Sequence, residues 1–143
     1  MALLSPSDQQ TLRGMFADMT RTVTVVFFTQ TFGCETCDET KQILAELTTL
    51  TDRIVVDEVN LVLDKERAAA YGIDRAPALV LLADGVDTRI RMLGAPAGYD
   101  FMSLVDAILA ASGASDMALS EASLALVAGV TTPTTIQVFV TPT

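Results

Sequence analysis

Apolar positions near the start of the chain fall at Leu12, Met15, Phe16 and Met19, the i, i+3, i+4, i+7 spacing of one buried helix face. The stretch "SPSDQQTLRGMFADM" therefore reads as a helix with a marked beginning. Ser5 can cap it, Pro6 stands where a missing N–H costs nothing, and Asp8 falls at the third helical position. The period then changes. "TVTVVFF" (22–28) is β-branched and aromatic and continuously apolar at its end, as in a strand covered on both faces. A second helix is expected from about Cys34 to Leu50, with Leu44, Leu47 and Leu50 on one side. "RIVVDEV" (53–59) reads as another buried strand, and "DKERAAAYG" (64–72) as a short helix ended by Gly72.

"APALVLLADGVDTRIRML" holds two strands joined at Asp84-Gly85, a dipeptide suited to a hairpin turn. In the second of them Ile90 and Met92 alternate with Arg89 and Arg91, which predicts an edge strand with one wet face. "YDFMSLVDAILAASG" (99–113) puts Phe101, Leu104, Val105, Ile108 and Leu109 on one helical face, with Gly113 as its stop. The order is α-β-α-β-α-β-β-α. Strands separated by a helix pair in parallel and a hairpin pairs antiparallel, so the fold class is α/β, a four-stranded mixed sheet flanked by helices.

Residues 114–143 look like a second beginning. "LSEASLALVAGV" repeats the Leu-Ser opening of "LSPSDQQTLRGMF", and "TTIQVFVTPT" resembles "TVTVVFFTQT". The expected organisation is a domain over 1–113, then a linker and the truncated helix-strand start of a second unit over 114–143. A helix and a strand alone cannot bury both their apolar faces, so "IQVFV" is expected to lean on the first unit or on a neighbouring chain, or to be poorly ordered.

Composition narrows the function. Half of the 143 residues are apolar and 19% are charged, enough for a core and too apolar for disorder. Nine basic against eighteen acidic residues give a net charge of −9 with no Lys/Arg cluster, which excludes phosphate backbones and anionic membranes as partners. There is no histidine, so the commonest general base and metal ligand is missing. No apolar run approaches the ~20 residues of a membrane span, and the N-terminus lacks the basic-then-apolar pattern of a secretory signal. A cytoplasmic location is expected, where bare thiols stay reduced unless they cycle.

The only two cysteines stand in "GCETCDE" (33–39), directly after a buried strand and at the opening of a helix. A helix N-terminus presents unpaired N–H groups and a positive dipole end, which favour a thiolate. Cys34 in that first turn would be the attacking sulfur, and Cys37, one turn on, would resolve the mixed disulfide. The other readings are weaker. A bridge across two residues closes too small a loop to stabilise much, a zinc site lacks further Cys or His in the chain, and chance gives no reason for this junction. The expected cofactors and metals are none.

"GCETC", "YGIDRAPALVLL" and "GAPAGYDF", in that order, resemble the thioredoxin superfamily, and more narrowly the glutaredoxin-like protein disulfide oxidoreductases built from two tandem thioredoxin-fold units. The resemblance covers 1–113 as a first unit and about 118–143 as the start of a second. It implies Cys34 as nucleophile, Cys37 as resolving thiol, Pro77 as a cis-proline facing them, and Ala76 as a residue whose backbone contacts substrate. The strand "VVFF" carries none of the buried aspartate of thioredoxins proper, and the glutathione-reading Gly-Gly-x-Asp and Thr-Val-Pro segments are absent. Asp57 and Glu58 are candidates to take up the Cys37 proton, and Arg75 is a candidate to offset the acids around the pair. The implied activity is thiol–disulfide exchange with disulfide-containing proteins and a thiol reductant or reductase. The alternatives are a relay module passing electrons to a peroxidase, or a non-catalytic interaction module with vestigial cysteines.

Overall fold

A computed structural model describes residues 2–115 and 118–141. Helix α1 (Pro6–Phe16) starts as its composition dictates. The Ser5 hydroxyl accepts from the Asp8 N–H at 3.2 Å, and the Asp8 carboxylate accepts from the Ser5 N–H at 3.3 Å, a reciprocal cap. Strand β1 (Val23–Thr29) follows, then α2 (Cys37–Thr48), β2 (Ile54–Asn60), α3 (Lys65–Tyr71), β3 (Ala78–Ala83), β4 (Val86–Leu93) and α4 (Asp100–Ser112). The sheet order is β2-β1-β3-β4, with β1 parallel to β2 and antiparallel to β3. The expected four-stranded mixed sheet flanked by helices is what forms.

Alternation along β1 assigns its side chains to two cores. Val23, Val25 and Phe27 face α1, α2 and α4, where they pack with Phe16, Leu44, Leu47 and Ile108. Val26 and Phe28 face α3 and pack with Val59, Ala68 and Val80. With helices on both faces, β1 has no polar side, which is why its sequence is continuously apolar. The hairpin turn is Asp84-Gly85 with φ of 47° and 80°, both in the left-handed region, as a two-residue turn matched to strand twist requires.

Three expectations are corrected. β2 is an edge strand and not a buried one: β1 pairs with it on one side only, and Val55 and Glu58 are exposed. α2 begins at Cys37 and not Cys34, because Thr36 (φ −108°, ψ 5°) has left helical geometry and Cys34–Thr36 form a turn that leads into the helix. On β4, Arg91 is half-buried and not simply wet. A register shift opposite Val80–Leu82, with Arg89 at φ 67°, breaks the alternation, and Arg91 lies over the Tyr71 ring at 5.7 Å while donating to the Tyr71 carbonyl at 3.2 Å.

Farther along the chain, Ser120 caps α5 (Glu121–Ala128) by accepting from the Ser123 N–H, as Ser5 caps α1. No side chain of α5 is buried. Among the described residues 130–141 no strand ladder forms, and Ile136, Val138, Phe139 and Val140 are exposed. The Thr-x-Thr turn expected at the end of the chain falls partly on Pro142 and Thr143, which lie outside the described residues.

Candidate functional site

The sheet topology gathers four connections at one end. β1 runs toward Thr29 and leads through Gly33 (φ 72°) to the cysteines. β2 runs in the same direction, and the Leu61 N–H donates to the Thr29 carbonyl at 2.8 Å, so residues 61–63 stand beside that exit. β3 runs oppositely and therefore starts there, preceded by Ala76-Pro77. Ala78 pairs with Leu93, and the Gly94 N–H donates to the Pro77 carbonyl at 2.9 Å, which ties the 94–98 connection to the same end.

At this end Cys34 and Cys37 are joined as a disulfide, their Cα atoms 5.5 Å apart. Cys37, the first residue of α2, is 4% exposed and belongs to the larger core, whereas Cys34 is half-buried at its margin with Ala76 and Ala97. The Ala76–Pro77 peptide bond is cis. The structure thus brings Cys34, Cys37, Ala76 and Pro77 to one end of the sheet. Thr40, fully buried one turn into α2, bonds both its N–H (3.0 Å) and its hydroxyl (2.8 Å) to the Thr36 carbonyl and so fixes the turn between the sulfurs.

The charges nearest the pair in the chain are acidic. Glu35, Asp38 and Glu39 are all exposed, and among the described residues none of them is in an ion pair. Arg75 does not offset them: its guanidinium is turned onto Asp74, at 2.8 and 3.3 Å, which holds the Asp74 carboxyl below the ordinary aspartate range. The two proton-acceptor candidates also have partners. Asp57 bonds Arg67 at 2.5 Å, and Glu58 bonds Lys41 at 2.8 Å, the latter raising the Lys41 ammonium above the usual lysine range. Among the described residues, no three His, Cys, Asp or Glu side chains converge where a metal ion could sit.

An open groove of about 260 Å³, which neither cysteine lines, runs between the side of α2 that carries Glu39, Ile43 and Glu46 and the 96–98 connection. Glu39 and Glu46 are its carboxylates, and Ile43, Pro96, Ala97 and Phe101 its apolar walls. The N-terminal segment crosses one end, where the Leu3 and Leu4 N–H groups donate to the Glu46 carboxylate at 2.6 and 2.9 Å and hold it below the usual glutamate range. Sequence reading missed this groove. Its walls come from residues some fifty positions apart, with no local pattern to join them.

No protein-family model matches the chain, and no curated protein matches it. Solved structures do. The NTD_N/C domain of the alkylhydroperoxide reductase AhpF from Enterococcus faecalis superposes with a TM-score of 0.75 at 28% identity, covering 83% of this chain and 57% of that one. A protein disulfide oxidoreductase from Aeropyrum pernix gives 0.70 at 22% identity, covering 82% and 51%. A mutant thioredoxin from Halobacterium salinarum gives 0.53 at 20%, covering 76% and 86%. The chain thus spans little more than half the length of the first two.

Proposed function

We propose that this chain, whose fold is thioredoxin-like and which carries a CxxC pair, is a thiol–disulfide oxidoreductase acting on protein disulfides. The observation that carries the reading is the Cys34–Cys37 disulfide at the exit of the central strand, with one sulfur reachable and the other in the core. In the reduced chain the Cys34 thiolate attacks a substrate disulfide, forming a mixed disulfide and releasing one substrate thiolate. Cys37 then loses its proton and attacks the Cys34 sulfur, which closes the intramolecular bridge and releases the second substrate thiolate. Two electrons pass to the substrate, whose two thiolates take up protons from solvent. The oxidised chain runs the same steps backwards with a dithiol. Ala76 and Pro77 are read as the substrate-contacting backbone beside Cys34.

The reduced partner is read as a thiol reductant or reductase, and the compartment as cytoplasmic. A second reading, electron relay to a peroxidase, draws on the likeness to a domain of an alkylhydroperoxide reductase. Residues 114–143 are read as a linker and the start of a second thioredoxin-like unit, supported by the recurring Leu-Ser opening and serine cap. Reduction of insulin disulfides with a chemical dithiol as electron source tests the activity. The wild type should accelerate it and Cys34→Ser should not. Equal rates for the two would leave the fold as a non-catalytic interaction module.

A further inference from the structure

We propose that the polypeptide segment presented to Cys34 carries a lysine or arginine close to its disulfide, and that this side chain lies in the groove beside α2. The proposal rests on the oxidoreductase reading and adds its substrate class. Five large apolar side chains stand exposed around the redox end: Phe32, two residues before Cys34; Val62 and Leu63 after β2; Leu93 at the end of β4; and Tyr99. Phe32, Leu63 and Tyr99 are 87%, 84% and 80% exposed, which is far from the usual condition of such residues when they cluster at one end of a fold. They suit an extended polypeptide and not a small polar thiol.

Charge then selects among polypeptides. The carboxylates of this surface, Glu35, Asp38 and Glu39, form no ion pair among the described residues: Lys41, which lies within electrostatic reach of Asp38, is bonded to Glu58, and Arg67 and Arg75 are bonded to Asp57 and Asp74. The groove combines apolar walls with Glu39 at the cysteine end and Glu46 at the far end. An aliphatic stem ending in a cation matches both features: the stem covers the apolar wall at Pro96 and Ala97, and the head meets Glu39, since Glu46 already accepts from the Leu3 and Leu4 N–H groups. An acidic segment at the same place meets a surface where Glu35, Asp38 and Glu39 outnumber Lys41.

The test is single-turnover reduction by the reduced protein of three disulfide peptides that differ only in Lys, Ala or Glu beside the cystine, with the neutral bis(2-hydroxyethyl) disulfide as a fourth substrate. Exposed ion pairs each shift a rate or affinity by a factor of about 1.5 to 5, so the Lys peptide should react about fivefold or more faster than the Glu peptide. That ratio should shrink in 0.5 M salt, fall by about half or more in Glu39→Gln, and reverse in Glu39→Lys. A wild type inert toward all four substrates would sink the oxidoreductase reading, and the docking proposal with it. Equal rates for the Lys and Glu peptides from an active protein would overturn the docking proposal alone. So would a preference untouched by either Glu39 variant.

Discussion

Reducing the Cys34–Cys37 bridge separates a working redox pair from a structural staple, and the structure sets the size of the effect. The bridge spans a sequence separation of 3, so it closes a loop of four residues. In the chain-entropy treatment such a loop removes −2.1 − 1.5R ln 4, about 6 cal/mol/K, from the unfolded ensemble, or about 2 kcal/mol at 25 °C. The native state gives little reason to add to that. Cys37 shares its core with Phe27, Leu44, Leu47 and Leu79, all fully or almost fully buried apolar side chains that the bond does not join. A domain of this size should lose about 4–8 °C in Tm on reduction and still unfold in one cooperative transition. Thermal and urea melts with and without a dithiol measure it. By linkage, the same 2 kcal/mol makes the folded couple more reducing than the unfolded CxxC by about 40 mV. A loss above about 4 kcal/mol, or unfolding on reduction, would refute the reasoning and return the cysteines to a structural role.

In the reduced protein, iodoacetamide near neutral pH should modify Cys34 well before Cys37, because Cys37 is 4% exposed and Cys34 lies at the core margin; mass spectrometry of quenched samples reads the order, and equal rates overturn it. Leu44→Ala, at a fully packed site, should cost about 2–5 kcal/mol in urea unfolding, and a cost under 1 kcal/mol would contradict the packing described. Glu46→Gln weakens the N-terminal tie, for less than about 1 kcal/mol at this surface position. The Glu46 carboxyl is lowered by the Leu3 N–H, so its contribution holds at neutral pH and is lost as pH falls below the ordinary glutamate range, and faster exchange of the Leu3 and Leu4 amides in acid should show it. A chain ending at residue 117 should unfold at the same temperature as the whole, since no described residue from 118 on is buried; a clear drop would mean that the tail supports the domain.

Much of this was legible in the residues. The α1 cap is written in Ser5, Pro6 and Asp8, the hairpin in Asp84-Gly85, and the helix stops in Gly72 and Gly113, because each of these is a local backbone requirement. The cysteine pair was equally plain. What sequence could not carry is pairing. "RIVVDEV" is as apolar as a buried strand, and only the absence of a neighbour beyond it makes β2 an edge. Arg91 alternates as a wet residue should, yet α3 brings Tyr71 beneath it. The apolar α5 was visible as a helix, but its lack of any buried side chain depends on what stands beside it.

Sheet parity sorts the two acids that neighbour each other in β2. Phe27 pairs with Glu58 and Val26 with Asp57. Paired residues share a face, and Phe27 points into the core that holds Cys37, whereas Val26 points into the one under α3. The ion pairs agree: Glu58 bonds Lys41 of α2, four residues after Cys37, and Asp57 bonds Arg67 of α3. A proton leaving Cys37 does so in the α2 layer, with the sheet between it and Asp57. Of the two acids, Glu58 is therefore the one on the face of Cys37, and β1 adds no acid there, since its residues in that core are Val23, Val25 and Phe27. The Glu58 carboxylate stands exposed on the edge strand and is bonded to Lys41, one turn beyond the buried cysteine, whereas Asp57 lies across the sheet from Cys37.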